Sequence, residues 1–436
     1  MPRPERRVAI TGLGLVTPIG TGNAPFWTAL VEGRSAVAKI QEFPVAGLPT
    51  ELGGEIVGFD PKVHVIPRLK KPMAKSLKYM ARDIQLAVAA GMLAFVDAGL
   101  DDGGFDPTRF GIDLGAGLIC SDLNELAPAI KRSIDAEGNF QYDRYGREGI
   151  PEIVPIWLLR YLPNMLACHL SIMLDCQGPS NTITESEAAS TLAIGEAARI
   201  IAGGRADIML TGGADSKIHP MSMVRMTLAG QLTRWDGEPS RACRPFDANR
   251  GGTVPGEGAG MLILEEYEHA QARGAKIYGE ILGAGSGYDA MPDRRIDPQG
   301  KGTEVAISAA LKLAGLEPEA VGHVNAHGIG SIVSDRAEAA AFSRLFGTKV
   351  PVTSIKGGMG NLVSGCGAVD AIASLLAVNH QAIPPTINCD DLDPAFAIDL
   401  VRGSVRPTDN PIFVTTNLTR FGQAAALVVR GNPGVV

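Results

Sequence analysis

The sequence predicts an α/β protein in which sheets are covered by helices. Short apolar runs, many of them ending in glycine, alternate with longer stretches that have a helical apolar period. The second half of the chain repeats this rhythm. With 436 residues, 45% of them hydrophobic, the chain can bury a large core shared by two or three structural units. Alternating strands and helices favour the α/β class.

The first half begins with a predicted buried strand at 8–12. A long helix is predicted at 79–100, because apolar residues at 84, 88, 92, 95 and 96 follow the helical period. A second strand at 111–118 is followed by a helix rich in alanine and isoleucine at 188–202. A further strand is predicted at 208–212.

The second half contains five predicted strands and three predicted helices. The helices lie between the strands, except that two strands close the chain. The strands are predicted at 278–283, 322–326, 350–354, 412–416 and 425–430, and the helices at 304–314, 336–346 and 367–379.

The chain divides near residue 255, which gives an N-terminal half at 1–255 and a C-terminal half at 256–436. The stretches at about 40–78 and 120–155 do not fit the alternating rhythm. We interpret them as insertions that cap the core, since long irregular segments in compact domains tend to be functional or interfacial.

Charge and cysteine usage narrow the class of protein. The net charge of -7 argues against a nucleic-acid-binding protein, whose binding surface would be basic. Six cysteines without a C-x-x-C pair favour reduced thiols in a cytoplasmic protein. The N-terminus lacks the apolar stretch of a signal peptide, and no run approaches the ~20 apolar residues of a membrane span. We predict no metal site.

Five segments stand out along the chain. They are VAITGLGLVTPIG at 8–20, GPSNTITESEAAS at 178–190, the long run from Arg244 to Ile281, VNAHG at 324–328 and SIKGGMGNLVSGCG at 354–367. Taken together and in this order, they resemble segments of the β-ketoacyl-acyl-carrier-protein synthases, and the resemblance covers essentially the whole chain.

The resemblance implies a thiolase-like, five-layer αβαβα fold built from two pseudo-repeated halves, normally dimeric. Members of this acyltransferase family join an acyl group to a decarboxylating malonyl unit on an acyl carrier protein, in fatty-acid or polyketide biosynthesis. The protein then needs no cofactor of its own, because the phosphopantetheine arm arrives on the carrier protein or on CoA.

Glu187 occupies the position at which the family has its nucleophilic cysteine, counted from Gly178-Pro-Ser180. The family chemistry needs a thiolate at a helix N-terminus. A carboxylate cannot hold an acyl chain as a thioester, so ordinary condensation is not expected. A structural role is the rival interpretation. Thr184-x-x-Glu187 fits a capping box, with Thr184 as N-cap and Glu187 at the third helical position.

The other residues of the family's site are largely present. His327 matches the first catalytic histidine, Asn361 stands where most relatives have the second, and Lys356 matches the family lysine. Histidine and asparagine N–H groups can stabilise an enolate. Asp335 and Glu338 match an acidic pair that supports the His327 loop.

The C-terminal loop departs from the family pattern. Thr419 replaces the gating phenylalanine, Arg420 is an intruding arginine, and Phe421 is kept. Arg420 could be a surface residue, or it could pair with Glu187 or with a substrate carboxylate.

Three functions remain open from the sequence. The chain could act on carrier-bound or CoA-bound acyl groups by decarboxylation or by Glu-based acid/base chemistry. An ionised Glu187 would repel a malonyl carboxylate and could serve as a general base beside His327, whereas a protonated one would resemble an amide. Alternatively, the chain is a non-catalytic partner of a Cys-bearing ketosynthase, similar to a chain-length factor, or an acyl-binding module. Its partners are then acyl carrier protein or acyl-CoA and a second subunit, as a homodimer or a heterodimer.

Overall fold

The computed structural model describes residues 6–293 and 295–435, and ten strands form its framework. The first five run β1 Val8–Thr17, β2 Phe110–Ala116, β3 Ser180–Ile183, β4 Ile208–Ser216 and β5 Glu257–Glu266. The second five run β6 Gly279–Tyr288, β7 His323–Asn325, β8 Pro351–Thr353, β9 Ile412–Leu418 and β10 Gln423–Gly431.

The two groups of strands have the same order and the same directions. The first group is ordered β1-β5-β4-β2-β3 and the second β6-β10-β9-β7-β8. In each group the first strand is antiparallel to the fifth, and the fifth is antiparallel to the fourth. The second strand lies between the fourth and the third and is parallel to both. A short antiparallel pairing of Val8–Ile10 with 279–281 joins the groups into one mixed sheet.

Seven helices of the core connect or cover these strands. They are α1 Arg82–Asp97, α2 Met165–Leu174, α3 Ala189–Ala202, α4 Pro220–Leu228, α5 Lys301–Ala314, α6 Ile332–Phe346 and α7 Cys366–Asn379. Other helices lie at Asn23–Val31, Lys70–Ser76, Leu123–Arg132, Tyr142–Arg144 and Tyr267–Ala272, and short strands at Gly20–Thr21, Val37–Lys39, Leu52–Gly54, Ala382–Ile383, Asp399–Leu400 and Arg406–Pro407.

The buried apolar side chains lie in three main clusters, and these define the layers. One cluster joins α1 and α2 to one face of the first group of strands. The central cluster joins α3 and α7 to inner faces of both groups. The third joins α5 and α6 to the other face of the second group. Helices and strands therefore alternate in five layers, with α3 and α7 in the middle.

The central helices approach each other closely at Gly367. A Cβ there would lie 2.0 Å from Thr191 Oγ1 and 2.7 Å from Asn417 Oδ1. Only glycine allows this approach, which brings the start of α3, the start of α7 and strand β9 together.

Most predicted elements are confirmed, with ends shifted by a few residues. The strand predicted at 8–12 extends to Thr17, and the helix predicted at 188–202 is α3. Strands β3 and β5 and helices α2 and α4 were not predicted. The predicted division at 255 stays a prediction, since strand order alone does not define folding units. Among the described residues, no helix is long and apolar enough to cross a membrane.

Candidate active site

Glu187 lies in a tight turn, Ser186–Ala188, immediately before α3. Only 5% of its surface is exposed. Asn361 Nδ2 donates to its Oε1 over 3.3 Å, and Oε2 has no hydrogen-bond partner within 6–293 and 295–435. A buried polar atom without a partner is costly, so its retention points to a functional role.

The predicted capping box is wrong. Neither the turn nor α3 has a side-chain cap, since Glu185 and Ala188 occupy the N-cap positions without such a bond. The reason is the backbone at Ser186, which has a φ of 47°. This left-handed turn, strained for a serine, directs the Glu187 carboxyl towards Asn361 rather than back to Thr184.

His327 lies in the loop after β7 and is fully buried. Asn417 Nδ2 donates to its Nδ1 over 3.4 Å, which assigns the ring proton to Nε2. Nε2 has no partner in the part of the chain that the structure describes. Burial, reinforced by the nearby Lys356, holds the pKa of His327 well below its ordinary value, so the ring is neutral and Nε2–H is a free donor.

Asn417 belongs to a buried network that orients this histidine. Its Nδ2 also donates to Asp370 Oδ2 over 2.9 Å, and its Oδ1 accepts from Thr191 Oγ1 over 2.5 Å. Lys356 Nζ donates to both oxygens of Asp370, at 2.6 and 2.7 Å. Burial opposes charge on Lys356, but the Asp370 carboxylate outweighs it and raises the pKa of the lysine. Lys356 therefore acts through this network as a fixed positive charge.

Asp335 and Glu338 hold the His327 loop through main-chain groups. Glu338 accepts from the N–H of His327 over 2.9 Å and of Gly328 over 2.8 Å. Asp335 accepts from the N–H of Ile329 over 3.1 Å. Burial raises the pKa of Asp335 to about 6 and that of Glu338 to about 7. These contacts are the ones a supporting role requires.

Hydrogen bonds on the side opposite Glu187 fix the orientation of the Asn361 amide. Its Oδ1 accepts from Val363 N over 2.9 Å and from Cys366 Sγ over 3.3 Å. Its Nδ2 is therefore the atom that faces Glu187, and within the described residues its second N–H makes no hydrogen bond.

Cys366 is the first residue of α7, and α7 holds the place in the second group of strands that α3 holds in the first. Cys366 and Glu187 thus lie near the starts of equivalent helices, although the turn before α7, Val363–Gly365, places Ser364 at the position equivalent to Glu187. Burial raises the pKa of the Cys366 thiol, which is neutral and donates to Asn361. Such a thiol is a poor nucleophile.

Thr419, Arg420 and Phe421 form the tight turn between β9 and β10. The Thr419 hydroxyl is buried and accepts from the N–H of Phe421 over 3.3 Å, which stabilises the turn. Arg420 is exposed, and its guanidinium lies 4.2 Å from the centre of the Phe421 ring. The predicted alternative of an ion pair between Arg420 and Glu187 does not occur, because Glu187 bonds only to Asn361 among the described residues.

A cavity of about 500 Å³ opens beside the site, and Ser186, Val363, Arg420 and Phe421 line it. A slightly larger cavity, about 570 Å³, lies between Arg6–Val8 and 280–286. It is lined by none of the predicted site residues, so we associate the site with the smaller one.

Sequence reasoning missed Asp370, Asn417 and Cys366. Two of these residues could have been identified from the sequence. Asp370 is the only charged residue of α7, and Asn417 carries an amide in the fully buried strand β9. A buried charge or amide in an apolar element must be paired, which marks a network. Cys366 could not have been, because only the fold brings it near Glu187. No group of three or more potential metal ligands occurs in the described ranges, and the predicted absence of a cofactor stays a prediction.

Two family models match the chain. The N-terminal domain of β-ketoacyl synthases matches residues 5–270, and the C-terminal domain matches residues 278–390. The chain is 34% identical over 422 residues to the 3-oxoacyl-[acyl-carrier-protein] synthase 2 of Vibrio cholerae, with 96% of this chain and 97% of that protein covered.

Solved structures of ketosynthases are also similar. The ishigamide ketosynthase/chain length factor has a TM-score of 0.84 at 29% identity, covering 98% of this chain and 100% of that chain. A type II polyketide synthase acyl-carrier protein in complex with its ketosynthase, bound to the hexaketide, has a TM-score of 0.83 at 28% identity with the same coverage. These likenesses confirm the thiolase-like α/β fold.

Proposed function

Because the chain belongs to the β-ketoacyl synthase family of fatty-acid and polyketide biosynthesis, we propose that it performs enolate chemistry on acyl thioesters with Glu187 in place of the nucleophilic cysteine. The thioester arrives on an acyl carrier protein or on CoA. One observation carries the proposal: Glu187 Oε2 and His327 Nε2 are both buried and have no partner in the described ranges, although the rest of each residue is held by hydrogen bonds.

Ordinary condensation needs a thiolate to receive the acyl chain, and the site offers none. Glu187 is a carboxyl group. Cys366 is the nearest thiol in the network, but it is neutral and committed to Asn361. The proposed chemistry therefore leaves the acyl group on its carrier throughout.

The proposed first step is decarboxylation of a malonyl thioester. The bond between the carboxylate carbon and the α-carbon breaks, CO₂ leaves, and the electron pair forms the enolate of an acetyl thioester. The N–H groups of His327 Nε2 and Asn361 Nδ2 hold the enolate oxygen. The α-carbon then takes a proton, which a protonated Glu187 supplies. Removal of an α-proton by an ionised Glu187 gives the same enolate from other acyl thioesters.

The test is incubation of the purified chain with malonyl-carrier protein in D₂O, followed by intact mass spectrometry. We expect loss of the mass of CO₂ and uptake of deuterium. Glu187→Ala should abolish conversion, and His327→Ala should slow it by about 10²- to 10³-fold, as loss of one oxyanion donor does.

Glu185→Gln is the matched control, since it removes a neighbouring carboxylate in the same turn. Glu187→Gln separates the two chemistries: retained decarboxylation means that residue 187 acts by hydrogen bonding, and loss means that it transfers a proton. No mass change with the wild type, or equal turnover in Glu187→Ala, would refute the proposal.

A second candidate is a partner subunit that pairs with a Cys-bearing ketosynthase. Strand β3 is an open sheet edge at which Ser180 and Asn181 are exposed. Several large apolar side chains near it in the chain are exposed too: Ile150, Val154, Leu158, Leu159 and Ile172. Exposed apolar groups and an unpaired edge favour an interface. A similar solved structure is a ketosynthase/chain length factor.

Size-exclusion chromatography with light scattering tests this candidate. The chain is measured alone and after mixing with a Cys-bearing ketosynthase encoded beside it. A heterodimer that forms at the expense of self-association supports the partner role. A stable homodimer without affinity for that ketosynthase contradicts it.

A further inference from the structure

The cavity beside Glu187 has an unusual lining for a protein that handles acyl chains. Its charged lining residues are Lys217, Arg225 and Arg420, and no carboxylate lines it among the described residues. The rest of the wall includes apolar side chains, notably Leu118, Met226 and Phe421. Cations in a half-enclosed apolar cavity attract an anion more strongly than the same cations on an open surface.

The three cations are not equally neutralised. Lys217 Nζ lies 2.5 Å from Asp215 Oδ1, and the charge of this pair cancels. Arg225 donates only to Cys120 Sγ, over 3.2 Å, and Arg420 stacks on Phe421. Neither arginine forms an ion pair within the described part of the chain. The cavity therefore carries about two uncompensated positive charges.

Other acidic groups nearby do not cancel this charge. Asp83 lies close to the Lys217–Asp215 pair, but burial and Asp215 raise its pKa to about 7. Asp122 is near His219, and its Oδ1 accepts the N–H of Asn124 in the cap of a neighbouring helix. Neither aspartate lines the cavity.

The cavity is continuous with the proposed site. Ser186 precedes Glu187 in the same turn, and Val363 N donates to Asn361 Oδ1. Both residues line the cavity wall. A thioester held at Glu187 and Asn361 would thus extend its acyl chain along the apolar wall towards the two arginines.

Resting on the proposed function, we propose that this cavity selects acyl thioesters whose chain ends in a carboxylate, such as dicarboxylic acyl groups. The apolar wall accommodates the methylenes, and Arg225 and Arg420 bind the terminal carboxylate. Guanidinium groups suit this task because their N–H groups match a carboxylate in charge and shape. The same cations would also attract the phosphate of a pantetheine arm, so the experiment must separate an acyl carboxylate from that phosphate.

The test is a binding measurement with matched pairs of CoA thioesters. Glutaryl-CoA is compared with pentanoyl-CoA, and adipyl-CoA with hexanoyl-CoA, by calorimetry. Both members of a pair carry the same phosphates, so any difference arises at the end of the acyl chain. We expect the dicarboxylic member to bind at least about tenfold more tightly, as a charge-assisted hydrogen bond requires.

Arg225→Gln and Arg420→Gln should each reduce this preference, because they weaken binding of the dicarboxylic member more than that of the monocarboxylic member. Lys217 is not substituted, because its loss would leave Asp215 buried and unpaired. Lys312→Gln, an exposed cation outside the cavity, controls for the change in net charge.

Equal affinity for the two members of each pair overturns the proposal. If the arginine variants lose equal affinity for both members of a pair, the proposal is also overturned, and Arg225 and Arg420 are assigned to binding of the pantetheine phosphate. Binding is measured without turnover. If malonyl-carrier protein is not decarboxylated but the dicarboxylic thioesters still bind more tightly, the proposed enolate chemistry is refuted and the proposed acyl selectivity is retained.

Discussion

Among single residues, Glu187 occupies a position whose surroundings would change the reactivity of another side chain placed there. It is the middle residue of a strained turn just before α3, and its carboxyl accepts from the Asn361 amide. Free N–H groups and the helix dipole at such a position favour an anion, including a thiolate.

Replacing Glu187 by cysteine should therefore create a reactive thiol. We expect Glu187→Cys to be alkylated by iodoacetamide at residue 187 faster than at Cys366, which is buried and donates to Asn361. Peptide mapping by mass spectrometry over a time course measures both rates in one sample. Equal or slower alkylation at 187 would mean that the turn does not activate a nucleophile.

A second residue, His323, couples stability to pH. It begins β7, is fully buried, stacks on Phe413 and has no partner for either ring nitrogen among the described residues. Burial lowers its pKa to about 3. The unfolded chain, with an ordinary histidine pKa near 6.5, binds the proton first as the pH falls. This contribution to stability is present above pH 6.5 and is lost progressively down to about pH 3.

The free energy of unfolding should thus fall by about 2 kcal/mol from this group between pH 7 and pH 5. His323→Phe keeps the ring stack and removes the titration, so the difference between the two pH values should shrink by that amount. Urea unfolding at both pH values measures it. His64→Phe, at a partly exposed position, is the control. An unchanged difference in the His323 variant would contradict the assignment.

The sequence located most of the candidate site residues, but not how they contact one another. Motif resemblance gave Glu187, His327, Asn361 and Lys356. In the structure Asn361 bonds to Glu187, His327 and Lys356 are linked through Asn417 and Asp370, and Cys366 lies near both Glu187 and Lys356. The link through Asn417 could not be predicted, because its three partners come from α3, α7 and the loop after β7. Likewise, only the backbone at Ser186 decides that Glu187 faces Asn361 instead of capping its helix.

Among the elements, the crossing of α3 and α7 sets the geometry of the site. Gly367 leaves no space for a methyl group between Thr191 and Asn417. A side chain there would separate the helices or disturb the bond from Thr191 to Asn417.

We therefore expect Gly367→Ala to destabilise the protein by about 1–3 kcal/mol, the usual cost of overpacking a core. Thermal or urea unfolding measures it. Gly146→Ala is the control, because a Cβ at Gly146 meets nothing within 4 Å. If both variants unfold alike, the close crossing is not the constraint that we infer.

Helices and strands whose apolar residues follow a regular period were predictable from the sequence, whereas short or glycine-rich elements were not. Helix α1 was predicted from its apolar spacing. Strand β5 was not, although it pairs with both β1 and β4, because glycines interrupt its apolar run. Gly260 has a packing reason that the sequence does not reveal: a Cβ there would lie 2.7 Å from Val369 N in α7.

At the level of the whole molecule, the open edge at β3 predicts how a second subunit is bound. Pairing across this edge would extend the sheet through main-chain hydrogen bonds. Ile112 N donates to Pro179 O, and in this parallel register the N–H of Asn181 points towards β2 while that of Thr182 faces the open edge. Thr182→Pro therefore removes a donor from the open edge and should weaken any dimer. Light scattering across a dilution series measures the effect. Asn139→Pro, in an exposed turn, is the comparison, and equal behaviour of the two variants would place the interface elsewhere.

The position of β1 has a consequence for the time course of folding. β1 is made first and pairs locally with Gly20–Thr21, yet its long partners β5 and β6 follow only at 257–288. During synthesis at about 5–20 residues per second, this strand, which is fully buried in the folded protein, waits roughly 10 to 50 seconds for those partners. Such distant pairing slows folding and leaves an aggregation-prone segment exposed. The nascent chain thus depends on whatever shields residues 8–17 until the ribosome has passed the middle of the message.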